Sequence, residues 1–277
     1  MKAILNPDAV NAYIDFHKKM KLPYKITISN YTTRIESKLH DIYFMKREQS
    51  NRVFAAFSKV KSDCKKKPID RIDRNNLQYY SSSFHQDNFY SDVIYNIDLK
   101  SAYASILHNH GYISNETYKY VCSLRKMDRL AALGMLAGKK NIFEIDENGD
   151  VVSENVEISE TVDYFFFCVK KTAEIMNECA KHLGNSFLFS WVDGIYFLQD
   201  ETASITAGKI ISDYLNDLNL KCTFEKLEQF NVTLNKDHFN CTYYKAGKLK
   251  VMKVPRIESE AKNKIINYLT KKNYEDV

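Results

Sequence analysis

Alternating and helical patterns of apolar residues divide the first part of the chain into strands and helices. Apolar positions in residues 7–21 share one helical face, and residues 25–29 alternate as in a strand. Residues 37–66 have a long helical pattern. Residues 70–92 are polar and have no period, which predicts a loop or linker. We therefore expect residues 1–85 to form a basic, mainly helical region.

The middle of the chain has the pattern of a buried strand that leads directly into a helix. Residues 93–98 form an apolar run that ends in Asp98, and a helix is predicted over residues 101–109. A second helical stretch covers residues 115–139, with apolar positions at three-residue steps. Asn148-Gly149 between two apolar runs predicts a β-hairpin.

The last part of the chain again mixes both kinds of element. The predicted elements are a helix over 161–183, a strand pair over 187–197 with its turn at 192–194, a helix over 203–218, a strand over 221–227, a hairpin turning at 247–248 and a basic helix over 258–274. No regular βαβ repeat is present, so the prediction is an α+β fold with an antiparallel sheet backed by helices.

Composition narrows the possible classes of protein. With 277 residues, 44% of them apolar, the chain can bury a core, and its 8 Gly and 4 Pro are too few for a loop-rich sandwich or a Gly-rich dinucleotide site. Six scattered cysteines without a C-x-x-C pair indicate reduced thiols. The chain has no signal-peptide pattern and no apolar run that spans a bilayer, so we expect a cytoplasmic protein without membrane contact.

The net charge of +5 permits a polyanionic partner but does not require one. Most of the excess lies in residues 46–74, which are rich in Lys and Arg. Two interpretations stay open for this segment. It is either a solvated helix face or a track for nucleic-acid phosphates.

Two aspartates stand out because apolar residues surround them. Asp98 ends an apolar strand, and Asp193 lies at the tip of another. A carboxylate in such surroundings is costly unless it is paired or binds a metal. Each has an ordinary structural explanation when taken alone, since Asp98 could cap a helix and Asp193-Gly194 could be a hairpin turn.

The residues that follow Asp98 carry a resemblance to a known family. The segment 98–106, Asp-Leu-Lys-Ser-Ala-Tyr-Ala-Ser-Ile, resembles motif A of family B DNA polymerases, D-x-x-S-L-Y-P-S-I. Four spaced residues are identical, namely Asp98, Ser101, Tyr103 and Ser105.

About ninety residues later, Trp191-Val-Asp-Gly-Ile-Tyr-Phe resembles motif C, in which D-T-D-S precedes apolar residues. In the preferred register Asp193 takes the place of the second, metal-binding Asp, and Trp191 replaces the first. The alternative register puts Ile195 at the metal-binding position and leaves the site inactive. We prefer the first register because it also aligns the apolar strand after the motif.

The resemblance implies a polymerase-type palm that transfers nucleotides with two Mg²⁺ (or Mn²⁺) ions. Asp98 and Asp193 would hold the ions, since Mg²⁺ prefers oxygen ligands. The resemblance implies that the backbone carbonyl of Leu99 is a further ligand. Backbone N–H groups near Ser101 and Ala102 would bind the triphosphate at a helix start. Tyr103 occupies the family's steric-gate position, which favours dNTPs over NTPs.

Further binding residues come from weaker matches. Arg129 aligns with the cationic position of the family's middle motif, and Arg125 and Lys126 lie one turn earlier, where further cations bind phosphate in the family. Residues 224–226 and 236–239, followed by Gly247-Lys248-Leu249-Lys250, resemble the primer-gripping motif K-K-R-Y, with Lys236 and Phe239 as loose matches. Lys226, Lys236 and Phe239 are the predicted nucleic-acid contacts.

The resemblance also implies a domain plan. A palm would cover residues 86–257, with a short fingers insertion at about 110–140 and a C-terminal helix over 258–277. The region before residue 86 is too short for a proofreading exonuclease, the fingers are reduced and the thumb is small or absent. Such an enzyme would grip DNA poorly unless a processivity or replisome protein helps.

The leading hypothesis is a minimal DNA polymerase of a phage or mobile element that extends a DNA primer–template with dNTPs. It would act in the host-cell cytoplasm if phage-encoded. Two alternatives stay open. One is a primase or terminal transferase on the same palm, and the other is a degenerate palm that binds nucleic acid or a replisome partner without catalysis.

Overall fold

The computed structural model describes residues 2–4, 7–45, 50–74, 77, 88–200, 202, 206–235 and 238–255. In this part of the chain, two six-stranded sheets are combined with helices, which is an α+β arrangement. The elements in chain order are β1 (Lys2–Ile4), α1 (Pro7–Lys19), β2 (Tyr24–Ser29), β3 (Thr32–Ser37), β4 (Asp41–Met45), α2 (Asn51–Cys64), β5 (Asn88–Leu99), α3 (Ala102–Asn109), α4 (Asn115–Cys122), α5 (Lys126–Gly134), β6 (Lys139–Ile145), β7 (Val151–Ile158), α6 (Val162–Leu183), β8 (Phe187–Trp191), β9 (Gly194–Phe197), α7 (Ala207–Asp217), β10 (Cys222–Asn235), β11 (His238–Lys245) and β12 (Lys248–Pro255).

The first sheet has the strand order β1-β4-β3-β2-β6-β7 and is antiparallel except for the β1–β4 pair. Alternate residues of β2 are buried, and Ile35, Ile42 and Phe44 pack in a core against one face of α1. The helix predicted over 7–21 and the strand over 25–29 are confirmed as α1 and β2.

This sheet corrects the prediction of one long helix over residues 37–66. Residues 37–45 were expected to begin a long helix, but they end β3 and form β4. A turn in which the Ser37 N–H donates to the His40 carbonyl at 2.7 Å reverses the chain there. Among the described residues of 37–66, only those of α2 (Asn51–Cys64) are helical.

The helix predicted over 115–139 is also divided. It consists of α4, α5 and a short 3-10 turn over Met135–Ala137, and the chain leaves α4 at Ser123. The hairpin predicted at Asn148-Gly149 is confirmed as β6 and β7. Because β6 pairs with β2, this hairpin belongs to the first sheet, so residues 139–158 share a sheet with the N-terminal region.

The second sheet, with the order β12-β11-β10-β5-β9-β8, is antiparallel throughout. Its central strand β5 begins at Asn88, within the segment predicted to be a loop. One face is covered by α3, α6 and α7, whose apolar residues share a core with Ile97, Ile195 and Phe197. The other face has a smaller, mostly aromatic cluster that includes Phe189, Tyr196 and Phe230. We call these the helix face and the open face.

The helices predicted over 161–183 and 203–218 correspond to α6 and α7, and the remaining predicted strand pairs are also found. The helix predicted over 258–277 lies outside the described residues. Within the described ranges, no helix combines the length and the apolar character needed to cross a bilayer.

Candidate active site

Asp98 lies near the end of β5, directly opposite Gly194, the first residue of β9. Asp193 immediately precedes β9, in the short turn that follows β8. Its carbonyl accepts a hydrogen bond from the Leu99 N–H at 2.9 Å. The two aspartates therefore occupy neighbouring strand ends at the same end of the second sheet.

Strand alternation determines which residue after Asp193 faces Asp98. Gly194 shares the open face with Asp98, whereas Ile195 points to the helix face and is fully buried there. A Cβ at position 194 would lie 3.3 Å from Asn96 Nδ2, which is a tight contact, and 3.5 Å from Asp98 Oδ1, which is an ordinary one. This geometry agrees with the preferred register and not with the one that aligns Ile195.

Trp191, which stands where motif C has its first Asp, packs against the aromatic cluster of the open face. It is not among the described residues that line the space around Asp98. The Trp191 side chain therefore leaves the space around Asp98 and Asp193 open.

A cleft of about 420 Å³ surrounds the two aspartates. Its walls come from β5, β9, β10, β11, the turn before α3, the turn at Asp193 and the first turn of α5. The lining residues include Asn96, Asp98, Leu99, Lys100, Ser101, Lys126, Arg129, Asp193, Thr223, Glu225, Tyr243 and Lys245. The cleft is thus a polar space with both acidic and basic walls.

Burial raises the pKa of both carboxyls. The pKa of Asp98 is raised to about 6, first by burial and then by the negative charge of Asp193, while Lys126 and Lys245 oppose the rise. Burial also raises the pKa of Asp193, and its own backbone N–H and Lys126 act in the opposite direction. Two half-buried carboxylates that repel each other favour a bound cation.

The predicted cations of the fingers are only partly brought to the cleft. Lys126 is the first residue of α5 and, with Arg129 one turn later, lines the cleft. Arg129 donates to the Leu124 carbonyl at 3.3 Å. Arg125 is highly exposed, forms an ion pair with Asp128 at 2.9 Å and does not line the cleft.

Of the three residues predicted to bind the nucleotide around the start of α3, one lines the cleft. Ser101 lines the cleft and has a left-handed backbone, with φ of 55°. Ala102 is buried in the core of the helix face. Tyr103 is half-buried and packs edge-to-face on Phe165 of α6, with ring centres 5.4 Å apart, and it is not among the described cleft residues.

Two of the three predicted nucleic-acid contacts, Lys226 and Phe239, are not brought to the cleft. Lys226 pairs with Tyr95, an odd number of residues from Asp98, so it lies on the helix face. Phe239 is buried in the aromatic cluster, where its ring is a core residue. Lys236 lies outside the described residues.

Several cleft residues were missed by the sequence analysis. Asn96 donates to the Ile195 carbonyl at 3.2 Å, and the Thr223 hydroxyl donates to the Asp98 carbonyl at 3.3 Å. Lys245 donates to Glu225 at 2.6 Å. The alternation of Thr223, Glu225 and Leu227 with Phe224 and Lys226 was the available signal, but it does not identify the partner strand.

The lysines of α2 and of the residues after it are largely neutralised by nearby carboxylates. Lys59 pairs with Glu116, Lys61 and Lys65 share Glu160, and Lys66 pairs with Asp63. This arrangement agrees with the first interpretation of the basic segment, a solvated helix surface.

The chemistry of the cleft fits the expected metal ligands. Leu99 lines the cleft although its side chain is buried on the helix face, so its backbone faces the cleft beside both aspartates. The described residues contain no group of three or more His, Cys, Asp or Glu side chains placed to hold a metal. The expected metal site has only two carboxylate side chains, completed by one backbone carbonyl, so it does not amount to a group of three.

A comparison with models of known protein families finds no match for this chain. A comparison with curated proteins finds no significant match either. The resemblance to a polymerase therefore depends on the two motifs and on the geometry of the cleft.

Proposed function

We propose that the protein extends the 3′ end of a nucleic acid with dNTPs, copying a template by a two-metal mechanism. The observation that carries the proposal is the register of β5 and β9, with Asp98 opposite Gly194 and the Leu99 N–H bonded to the Asp193 carbonyl. Two motifs ninety residues apart in the sequence thereby contribute carboxylates to one cleft.

Asp98, Asp193 and the Leu99 carbonyl are the groups that would hold the ions. Bound Mg²⁺ (or Mn²⁺) would supply positive charge to the attacking 3′ oxygen and the leaving pyrophosphate. Lys126 and Arg129 would bind the phosphates of the nucleotide from the α5 side of the cleft. The first N–H groups of α3 follow Ser101, which lines the same cleft, and they would favour an anion.

A second candidate is a primase or terminal transferase built on the same cleft. Tyr103 supports it, because the ring that should exclude a 2′-hydroxyl packs on Phe165 and does not line the cleft. The preference for dNTPs thus stays a prediction from the motif.

A labelled primer, alone or annealed to a template, separates these functions when incubated with Mg²⁺ and either dNTPs or NTPs. Template-dependent addition of dNTPs supports the proposal. Addition without a template, or equal use of NTPs, supports the second candidate. Binding of the duplex without any addition, with Mg²⁺ or Mn²⁺, leaves only a degenerate palm.

A further inference from the structure

One edge strand of the first sheet is exposed and lies in an acidic segment. β7 is the last strand of that sheet, and every residue of it except Glu154 is exposed. Residues 141–160, which include β7, contain seven Asp or Glu and no Lys or Arg, although the whole chain has a net charge of +5. The outer side of an edge strand presents backbone N–H and C=O groups that can pair with another strand.

One edge strand of the second sheet has the opposite charge. β12 is the last strand of that sheet and contains three lysines, at positions 248, 250 and 253, and no Asp or Glu. Like β7, it has eight residues. The remaining sheet edges among the described strands are shorter, since β1 has three residues and β8 has five. β7 and β12 are therefore the two long edges, and their charges are complementary.

An antiparallel pairing of β7 with β12 matches these charges residue by residue. The two glutamates of β7 and two of the lysines of β12 have the same three-residue spacing. When Glu154 lies opposite Lys253, Glu157 lies opposite Lys250. Within its own molecule Glu157 is paired with Lys140 of β6 at 3.3 Å, so Lys250 would be a second cation on its other side. Opposite charges directly across a strand pair stabilise it.

The same register also covers exposed apolar side chains. It puts Val156 opposite Val251 and Ile158 opposite Leu249, and these four side chains are 39–63% exposed. They lie on one face of the strand pair, because they alternate in both strands. A parallel pairing that matches the charges would put Ile158 opposite Val254, which is already fully buried. The antiparallel register therefore removes more apolar surface from water.

The charges also exclude the pairing of like edges. Lysines on an edge strand usually prevent strand addition, because two such edges repel each other. The same repulsion applies to β7 against β7, where glutamates would meet glutamates. Only the combination of β7 with β12 removes both barriers.

We propose that β7 of one molecule pairs with β12 of a second copy of this chain, in the antiparallel register given above. The first sheet of one molecule and the second sheet of the next would then form one continuous sheet. Because two different edges meet, each molecule can bind one neighbour at β7 and another at β12. A single strand pair is a small interface, so the association is weak and transient. The inference is independent of the proposed function, since it involves neither Asp98 nor Asp193.

Sedimentation velocity of the wild-type protein tests the association at concentrations from about 3 to about 300 µM. In about 50 mM KCl the weight-average sedimentation coefficient should rise with protein concentration. In about 500 mM KCl the Kd should increase at least threefold, because salt screens exposed charge pairs. A protein that stays monomeric over the whole range in low salt would overturn the inference.

Charge reversal at each edge identifies the two surfaces. Glu154→Lys/Glu157→Lys and Lys250→Glu/Lys253→Glu should each raise the Kd of self-association at least about tenfold, because like charges would then face each other. An equimolar mixture of the two variants should associate again, since each reversed edge meets an edge of opposite charge. This recovery also shows that a variant which does not self-associate is still folded.

Two ion pairs on α6 and α7 supply controls with the same change of charge. Glu178→Lys/Asp213→Lys matches the β7 variant, and Lys181→Glu/Lys209→Glu matches the β12 variant. Each control should keep the wild-type Kd within about twofold.

Three results of the variant series would overturn the inference. Equal effects of the controls and the edge variants would mean that net charge alone governs the association. Association that persists in both edge variants would place the contact on another surface. A mixture of the edge variants that stays monomeric, although thermal unfolding shows both to be folded, would exclude the pairing of β7 with β12.

Discussion

Asp98 lies directly opposite Gly194 across β5 and β9, and a single methyl group at position 194 would reach to 3.5 Å from its carboxylate. With Trp191 packed in the aromatic cluster, the space around Asp98 is lined by polar and charged groups such as Asn96, Lys126 and Glu225. This space is where the metal ions of the proposal would bind.

Gly194→Ala tests whether that space matters. The new Cβ would lie 3.3 Å from the Asn96 amide, which already donates to the Ile195 carbonyl. We expect a loss of about 1 kcal/mol in the free energy of unfolding from the tight contact. Primer extension should fall at least tenfold, because the methyl group would occupy space beside the Asp98 carboxylate and shift the Asn96 amide next to it.

Gly134→Ala on α5 is the matched control, since its Cβ would meet no atom within 4 Å. It should raise the free energy of unfolding by about 0.5–1 kcal/mol and leave extension unchanged. Extension by Gly194→Ala at the wild-type rate would show that the space beside Asp98 is not part of a catalytic site.

Asp98→Asn should stabilise the metal-free protein at neutral pH. The pKa of Asp98 is raised from 3.8 to about 6, so the folded state holds its proton more tightly than the unfolded chain does. This contribution favours folding at low pH and is lost as the pH rises through about 6. A two-unit shift is worth at most about 3 kcal/mol, and solvent screening lowers this to about 1–2 kcal/mol.

Urea unfolding in EDTA should therefore show Asp98→Asn more stable than wild type by about 1–2 kcal/mol at pH 7.5, with the gain largely gone at pH 4.5. Glu147→Gln, an exposed turn residue, should change stability by less than about 0.5 kcal/mol at either pH. A loss of stability in Asp98→Asn at pH 7.5 would mean that the carboxylate is held by favourable contacts instead.

Asp63 should have the opposite pH dependence. Its carboxylate is partly buried, but it accepts hydrogen bonds from Lys66, from the Thr117 hydroxyl and from both the N–H and the hydroxyl of Ser114, which hold its pKa well below the usual range. These bonds connect the end of α2 to the start of α4. The stability that they provide is present above the unfolded pKa and is lost as the pH falls through the folded one.

Asp63→Ala should therefore lower the free energy of unfolding by about 2–3 kcal/mol at pH 7, and by progressively less below pH 4. Glu116→Gln, which breaks the exposed pair with Lys59, should cost less than about 1 kcal/mol. Equal effects of the two substitutions in urea unfolding would contradict the structural role of Asp63.

The sequence predicted the parts of the site that are local in the chain. Asp98 and the helix after it follow one another directly, and the hairpin that contains Asp193 is a short-range signal. The acidic and basic walls were missed because Glu225 and Lys245 are twenty residues apart, and only the pairing of β10 with β11 brings them together. The same limit applies to Tyr103, whose neighbour Phe165 belongs to a distant helix.

The errors in the fold have a similar cause. Residues 37–45 contain apolar positions that fit a helix as well as a strand, and their pairing with β3 and β1 decides the outcome. Lys226 was chosen for its charge and its place near a motif. The register of β10 on β5, which the sequence does not reveal, puts its side chain on the helix face.

The central claim is that Asp98 and Asp193 form one catalytic pair. Its most direct test is extension of a labelled primer on a template with Mg²⁺ and dNTPs by wild type, Asp98→Asn, Asp193→Asn and the control Glu147→Gln, at equal concentrations of folded protein. We predict that wild type and the control extend the primer, and that each Asp variant is reduced by at least a thousandfold. Extension by either variant within tenfold of the wild-type rate would contradict the account.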